Sequence, residues 1–169
     1  MTTTEAGTLS RAVLDEHVAA IDGMLAQPFP ETARADRTGH AGPGHRVRLL
    51  RESRDFWDDE DGRAMQEADA EMSACLDALV AVFTDRWGEP VDVDLWSYLT
   101  AGYEDDGAAD VPEPIESLCQ LAVTLWVWPL PEHDRWLGLT VGQGDKELPL
   151  ELLAAVGRGP VPARSAKDD

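Results

Sequence analysis

Apolar positions recur with helical spacing near the start of the chain. Leu14, Val18, Ile21 and Leu25 fall on one stripe, with Asp15, Glu16 and Asp22 mostly off it, which predicts a helix over 9–26. Pro28 and Pro30 stop it. A longer helix is predicted over 63–87, where Met65, Ala68, Met72, Cys75, Leu76, Leu79, Phe83 and Trp87 hold the same period. Asp58, Asp59, Glu60 and Asp61 precede it, at the end where the helix dipole favours negative charge, and Gly88 and Pro90 close it. Cys75 lies on the apolar stripe and is expected in the core.

The period then changes to two. Val91, Val93, Leu95 and Leu99 alternate with polar or aromatic residues, which predicts a strand over 91–99. Leu121–Trp128 and Arg135–Val141 read as two further strands joined by a turn at 129–134. Pro114 opens a short helix at Ile115–Cys119, Leu148–Val156 reads as a closing helix, and 157–169 shows no period. The Arg-containing stretch Val47–Arg54 fits either a short helix or a strand edge.

The expected fold is α+β: a three-stranded antiparallel meander packed against a long helix, with an N-terminal helix and a short C-terminal one. The expected division is an N-terminal helix and Gly/Pro/Arg-containing segment at 1–55, an α+β core at 56–156 and a flexible tail at 157–169. Alternate strand residues point to opposite faces. One face then carries Val91, Val93, Leu95, Leu121, Val123, Leu125, Val127, Leu137, Leu139 and Val141, an aliphatic bed for the 63–87 helix. The other carries Asp92, Asp94, Trp96, Tyr98, Thr124, Trp126, Trp128, Trp136 and Thr140. Covered by the N-terminal segment, those indoles are a second core layer; left open, they are a docking surface with carboxylates at its rim.

Charge sharpens the second reading. The 169 residues hold 33 acids against 14 Lys and Arg, a formal net charge of −19. Twenty acids and three arginines fall within 52–116, so that segment alone carries −17. Such a field repels nucleic-acid phosphate and anionic lipid, and attracts basic protein surfaces. No apolar run approaches the roughly 20 residues of a membrane span and no leader pattern opens the chain, so a cytoplasmic protein is expected. Asn is absent and Lys and Ile occur twice each, a bias that suggests a high-GC bacterial genome.

Dedicated chemistry is hard to find. Gly39–Gly44 is followed by His45 where a phosphate-binding loop needs Lys, and Gly142-Gln143-Gly144 has Glu147 at the third glycine position. Asp58–Gly62 and Glu104–Gly107 fail as calcium loops because the first ligand positions are Trp57 and Gly102. The His40/His45 pair is placed in a loop, Cys75 and Cys119 make neither a disulfide framework nor a four-ligand zinc set, and no catalytic residue, metal site or cofactor is expected.

Trp87-Gly88-Glu89-Pro90, Trp136–Gly142, Asp145 and Leu148-Pro149-Leu150 resemble a group of small uncharacterised acidic proteins of high-GC bacteria, a resemblance over roughly 63–156 that implies a shared fold and no activity. In its order of elements and its acidity the chain is similar to type III secretion chaperones and looks like toxin-immunity proteins. The function expected is a non-enzymatic module binding a basic protein surface through Asp92, Asp94, Trp96, Tyr98, Trp126, Trp128 and Trp136. Two alternatives stand beside it. One is a metal-assisted enzyme using Asp92, Asp94 and the Asp105/Asp106 loop; the other is a homodimer subunit joined through the Trp face.

Overall fold

The computed structural model describes residues 10–104 and 111–166. In chain order these form α1 (Arg11–Ala26), β1 (Arg34–Asp36), β2 (Gly39–Gly42), β3 (His45–Glu52), α2 (Arg63–Trp87), β4 (Val91–Asp94), α3 (Leu95–Glu104), α4 (Ile115–Cys119), β5 (Thr124–Leu130), β6 (Arg135–Gln143) and β7 (Leu150–Arg158). The fold is α+β, built on one antiparallel sheet with strand order β1-β2-β3-β7-β6-β5-β4. The expected three-stranded meander is thus part of a seven-stranded sheet to which β1–β3 also belong.

Both faces of the sheet are covered. α2 turns Ala68, Met72, Cys75, Leu79 and Phe83 onto Trp128, Leu137, Leu139, Leu152, Ala154 and Val156, and Ile21 and Met24 of α1 extend the same core. On the opposite face Val47, Val93, Leu125, Val127, Trp136, Leu153 and Ala155 are capped by Leu95 of α3 and by Ile115, Leu118 and Cys119 of α4. Cys75 is buried as expected, and its sulfur accepts a hydrogen bond from Arg51 at 3.4 Å.

Two predicted elements differ from expectation, and one ambiguous stretch is resolved. Residues 150–158 form a strand where a helix was expected, because β7 lies between β3 and β6 and is apolar on both faces. A strand covered on both sides shows no alternation, so its Leu and Ala content mimics a helix. The strand expected over 91–99 ends at Asp94. There the Asp94 carbonyl accepts from Ser97 Oγ at 2.7 Å and its carboxylate from the Ser97 N–H at 3.4 Å, starting α3 in the manner of a helix cap. Leu95, Tyr98 and Leu99 then pack at helical spacing against the second core. The ambiguous 47–54 stretch contributes most of β3, which pairs with β7.

The expected flexible tail is also bound over its described part. Gly157 and Arg158 complete β7, Arg164 accepts a hydrogen bond from the Asp94 N–H at 2.7 Å and Ala163 one from the Tyr98 hydroxyl at 2.6 Å, and Ala166 donates to Ser97 Oγ at 2.8 Å.

One cross-strand pair works against folding. Glu151 of β7 lies opposite Glu52 of β3, and burial followed by the Glu52 charge raises its pKa. A carboxyl whose pKa is higher folded than unfolded opposes folding once ionised and stops doing so as pH falls through its folded value. Glu151→Gln is therefore expected to stabilise the protein at pH 7, by well under about 1 kcal/mol after solvent screening. Urea titrations at pH 7 and pH 4 should show that gain shrinking at the lower pH.

Candidate functional site

The seven residues expected to share a docking face do not share one. Trp128 is fully buried beneath α2, its indole N–H donating to the Gly88 carbonyl at 2.9 Å and its ring tilted against Phe83 at 5.8 Å. Trp126 is half-buried against the same core. Trp136 is buried on the opposite face. The reason is register: Trp128 pairs with Leu137 and Trp126 with Leu139, so Leu137 and Leu139 share a face with the β5 indoles and Trp136 goes to the other side. Shifting the expected alignment by one residue exchanges the faces of a whole strand.

The other four gather at the β4–α3 corner. Asp92 is ion-paired with Arg164, and Asp94 starts α3. Tyr98 is half-buried and holds the Ala163 carbonyl, while Trp96 is exposed. Both carboxylates therefore have structural duties, and Asp105 and Asp106 lie outside the described residues.

The exposed indole with the most acidic setting is one that strand alternation had no means of finding. Trp57 is 66% exposed. It sits in the sequence Asp55-Phe56-Trp57-Asp58-Asp59-Glu60-Asp61, which is anchored from both sides. Phe56 is buried and its N–H donates to the Glu147 carbonyl at 2.9 Å. The Asp59 carboxylate accepts from the Ala64 and Met65 N–H groups, each at 3.0 Å, and so satisfies two of the orphan donors of the first turn of α2, the Arg63 N–H going to Asp61. Burial acts to raise the Asp59 pKa, but the bonds from Met65 and Ala64, with the Arg54 charge and a bond from Asp61 adding to them, hold the carboxyl below its usual range. Such a group stabilises the fold above its unfolded pKa and ceases to as pH falls through the lower folded value. Asp59→Ala should lower Tm by a few degrees at pH 7, and the difference from the parent protein should close on strong acidification.

With Phe56 and Asp59 fixed, Trp57 is held outward beside Asp55, Asp58 and Glu60. No ion-pair partner reaches those three carboxylates among the described residues. The outward face of α2 continues the charge with exposed Glu67, Asp69, Glu71 and Asp77. Leu148, also exposed, follows the Glu147 that anchors Phe56.

A second cluster lies across the molecule. The His40/His45 pair, expected in a loop, is on β2 and β3, where Gly42 pairs with His45 around the Pro43-Gly44 turn. Their rings are 5.7 Å apart, and Glu113, ahead of α4, closes on both. His40 is made less basic by burial, with Glu113 acting in the opposite sense and His45 adding to the lowering. The signal available in the sequence was His-x4-His across a Gly-Pro-Gly turn; Glu113, 68 positions on from His45, gives none.

Comparison with protein-family models, with curated proteins and with solved structures returns no match to this chain.

Proposed function

We propose that this chain is a non-enzymatic binding module whose acidic surface, formed by the 55–61 loop and the outward face of α2, docks a basic protein partner with Trp57 as its anchor. The observation that carries the reading is the exposed indole on a loop anchored at Phe56 and Asp59, beside Asp55, Asp58 and Glu60, which have no ion-pair partner among the described residues. An indole face accepts an Arg or Lys side chain, and the surrounding acids steer and orient that cation. One exposed cation–π contact contributes only about 0.5–1 kcal/mol, rising to about 2 once desolvated, so anchor and charge must act together. The analogy with secretion chaperones rested partly on a three-stranded meander, and with seven strands present the proposal stands on charge and Trp57 alone.

The homodimer alternative has less support, since Trp126, Trp128 and Trp136 are divided between two covered faces and Trp96 is the exposed member of that set among the described residues. Of the carboxylates in the enzyme alternative, Asp92 pairs with Arg164 and Asp94 starts α3, while Asp105 and Asp106 lie outside the described residues.

The test is fluorescence anisotropy with a labelled nona-arginine peptide, at about 50 mM and 500 mM NaCl. Saturable binding at low salt is expected, weakened about tenfold or more by Trp57→Ala and lost at high salt. Equal affinity for parent and Trp57→Ala proteins, with both still folded by circular dichroism, would remove the anchor and with it the proposal.

A further inference from the structure

The acidic surface leaves one constellation unexplained. The ligand-capable atoms of His40, His45 and Glu113 all lie within 4.8 Å of one another. Two parts of the chain that are distant in sequence converge to make this arrangement: the adjacent strands of the β2–β3 hairpin supply the imidazoles, and the segment leading into α4 supplies the carboxylate. His45 is buried and the other two are half-buried, so this is not a solvated charge cluster. Glu113 is also oriented. Its Oε1 accepts from the Ser117 hydroxyl at 2.8 Å, while its Oε2 is buried with no hydrogen-bond partner. A buried carboxylate oxygen without a partner is costly, and calls for a cation or a donor beside it.

Room for the His45 ring comes from Gly42, since a Cβ there would stand 2.7 Å from His45 Cε1. The geometry points to a divalent transition-metal site, of the zinc type, formed by His40, His45 and Glu113. Two imidazoles and one carboxylate are a ligand set that zinc accepts, and metal–ligand bonds of about 2.0–2.2 Å place ligand pairs within about 4 Å of one another. The cluster reaches that spacing by small side-chain adjustments. Magnesium and calcium prefer oxygen ligands and do not suit this set. Ser117 takes the part of an outer-shell group that holds the ligating carboxylate in place. A bound ion ties the β2–β3 hairpin to the approach to α4, across the edge of the second core.

The experiment is isothermal titration of the chelator-treated full chain with zinc chloride, repeated with cobalt chloride while following visible absorption. One ion per chain, a saturable rise in Tm and a cobalt band typical of nitrogen and oxygen ligands are expected. His40→Ala and the isosteric Glu113→Gln should each weaken binding at least tenfold, whereas Asp58→Asn with Glu60→Gln on the acidic loop should leave it unchanged. Absence of a stoichiometric step, or a titration indifferent to both His40→Ala and Glu113→Gln, would overturn the assignment. So would equal saturable binding of magnesium.

Discussion

Trp128→Ala is expected to destabilise the protein by about 3–5 kcal/mol, enough to leave a marginal domain largely unfolded at 37 °C. The indole is fully enclosed between α2 and the sheet. Its removal opens a cavity beside Phe83 and leaves the Gly88 carbonyl without its 2.9 Å donor. Trp128→Phe keeps most of the packing and gives up the hydrogen bond, so about 1–2 kcal/mol is expected for it. The informative contrast is Trp57→Ala, which removes an equally large side chain from the surface and should change stability by less than about 0.5 kcal/mol. Urea denaturation of the three variants checks this ordering. A Trp57→Ala protein as unstable as Trp128→Ala would mean that Trp57 belongs to the core.

The second large effect lies on the opposite face, at Gly157→Ala. Gly157 of β7 pairs with Trp136 of β6, and a Cβ on it would lie 2.2 Å from the Trp136 ring. The indole lies across the bare glycine backbone, an arrangement in which an aromatic side chain covers what the glycine leaves open. Any side chain at 157 must displace a ring that is itself only 3% exposed. Overpacking of this kind costs about 1–3 kcal/mol, so Tm should fall by several degrees. Gly23→Ala supplies the control. Gly23 lies in α1 with nothing within 4 Å of a Cβ, so alanine there should stabilise by about 0.5–1 kcal/mol. Thermal melts of the two variants should move in opposite directions.

These contrasts show which parts of the molecule were legible in the sequence. Helices with one apolar stripe and punctuation at their ends were: α1 ends before Pro28, and α2 runs from Arg63 to Trp87 ahead of Gly88. The strands β5 and β6 were legible as strands, through their bulky β-formers and the proline-bounded turn between them. Their relative register was not. It depends on the connection, a single turn of 3-10 helix at Pro131–His133 followed by Asp134 in left-handed conformation, and no hydrophobic pattern encodes that geometry. Leu137, Leu139 and Val141 were apolar on one parity, and the faces of β5 were apolar or aromatic on both, so two alignments buried comparable surface. β7 was illegible for a related reason, since a strand with neighbours and covering layers on all sides carries no alternation.

The same logic explains the candidate sites. Trp57 stands outside any regular element, in a loop whose role emerges only when Asp59 is seen to cap α2 and Phe56 to enter the core. The His40/His45 pair was visible at close spacing but had no third partner until the fold brought Glu113 to it. Asp92 and Asp94 sat at the rim of an attractive pattern, yet their carboxylates hold the chain segment at Arg164 and the start of α3. Local carboxylates at strand ends are often consumed by capping and pairing in this way.

Whether the acidic loop is a docking surface is best decided by following the indole and backbone N–H signals of the nitrogen-15-labelled chain during titration with nona-arginine at low salt. The expected result is a saturable shift confined to the Trp57 indole and to amides of the 55–61 loop and the exposed positions of α2, with the Trp128 and Trp136 indoles unmoved and all shifts abolished at about 500 mM NaCl. Shifts spread evenly over every acidic stretch, with the Trp57 indole standing still, would contradict it.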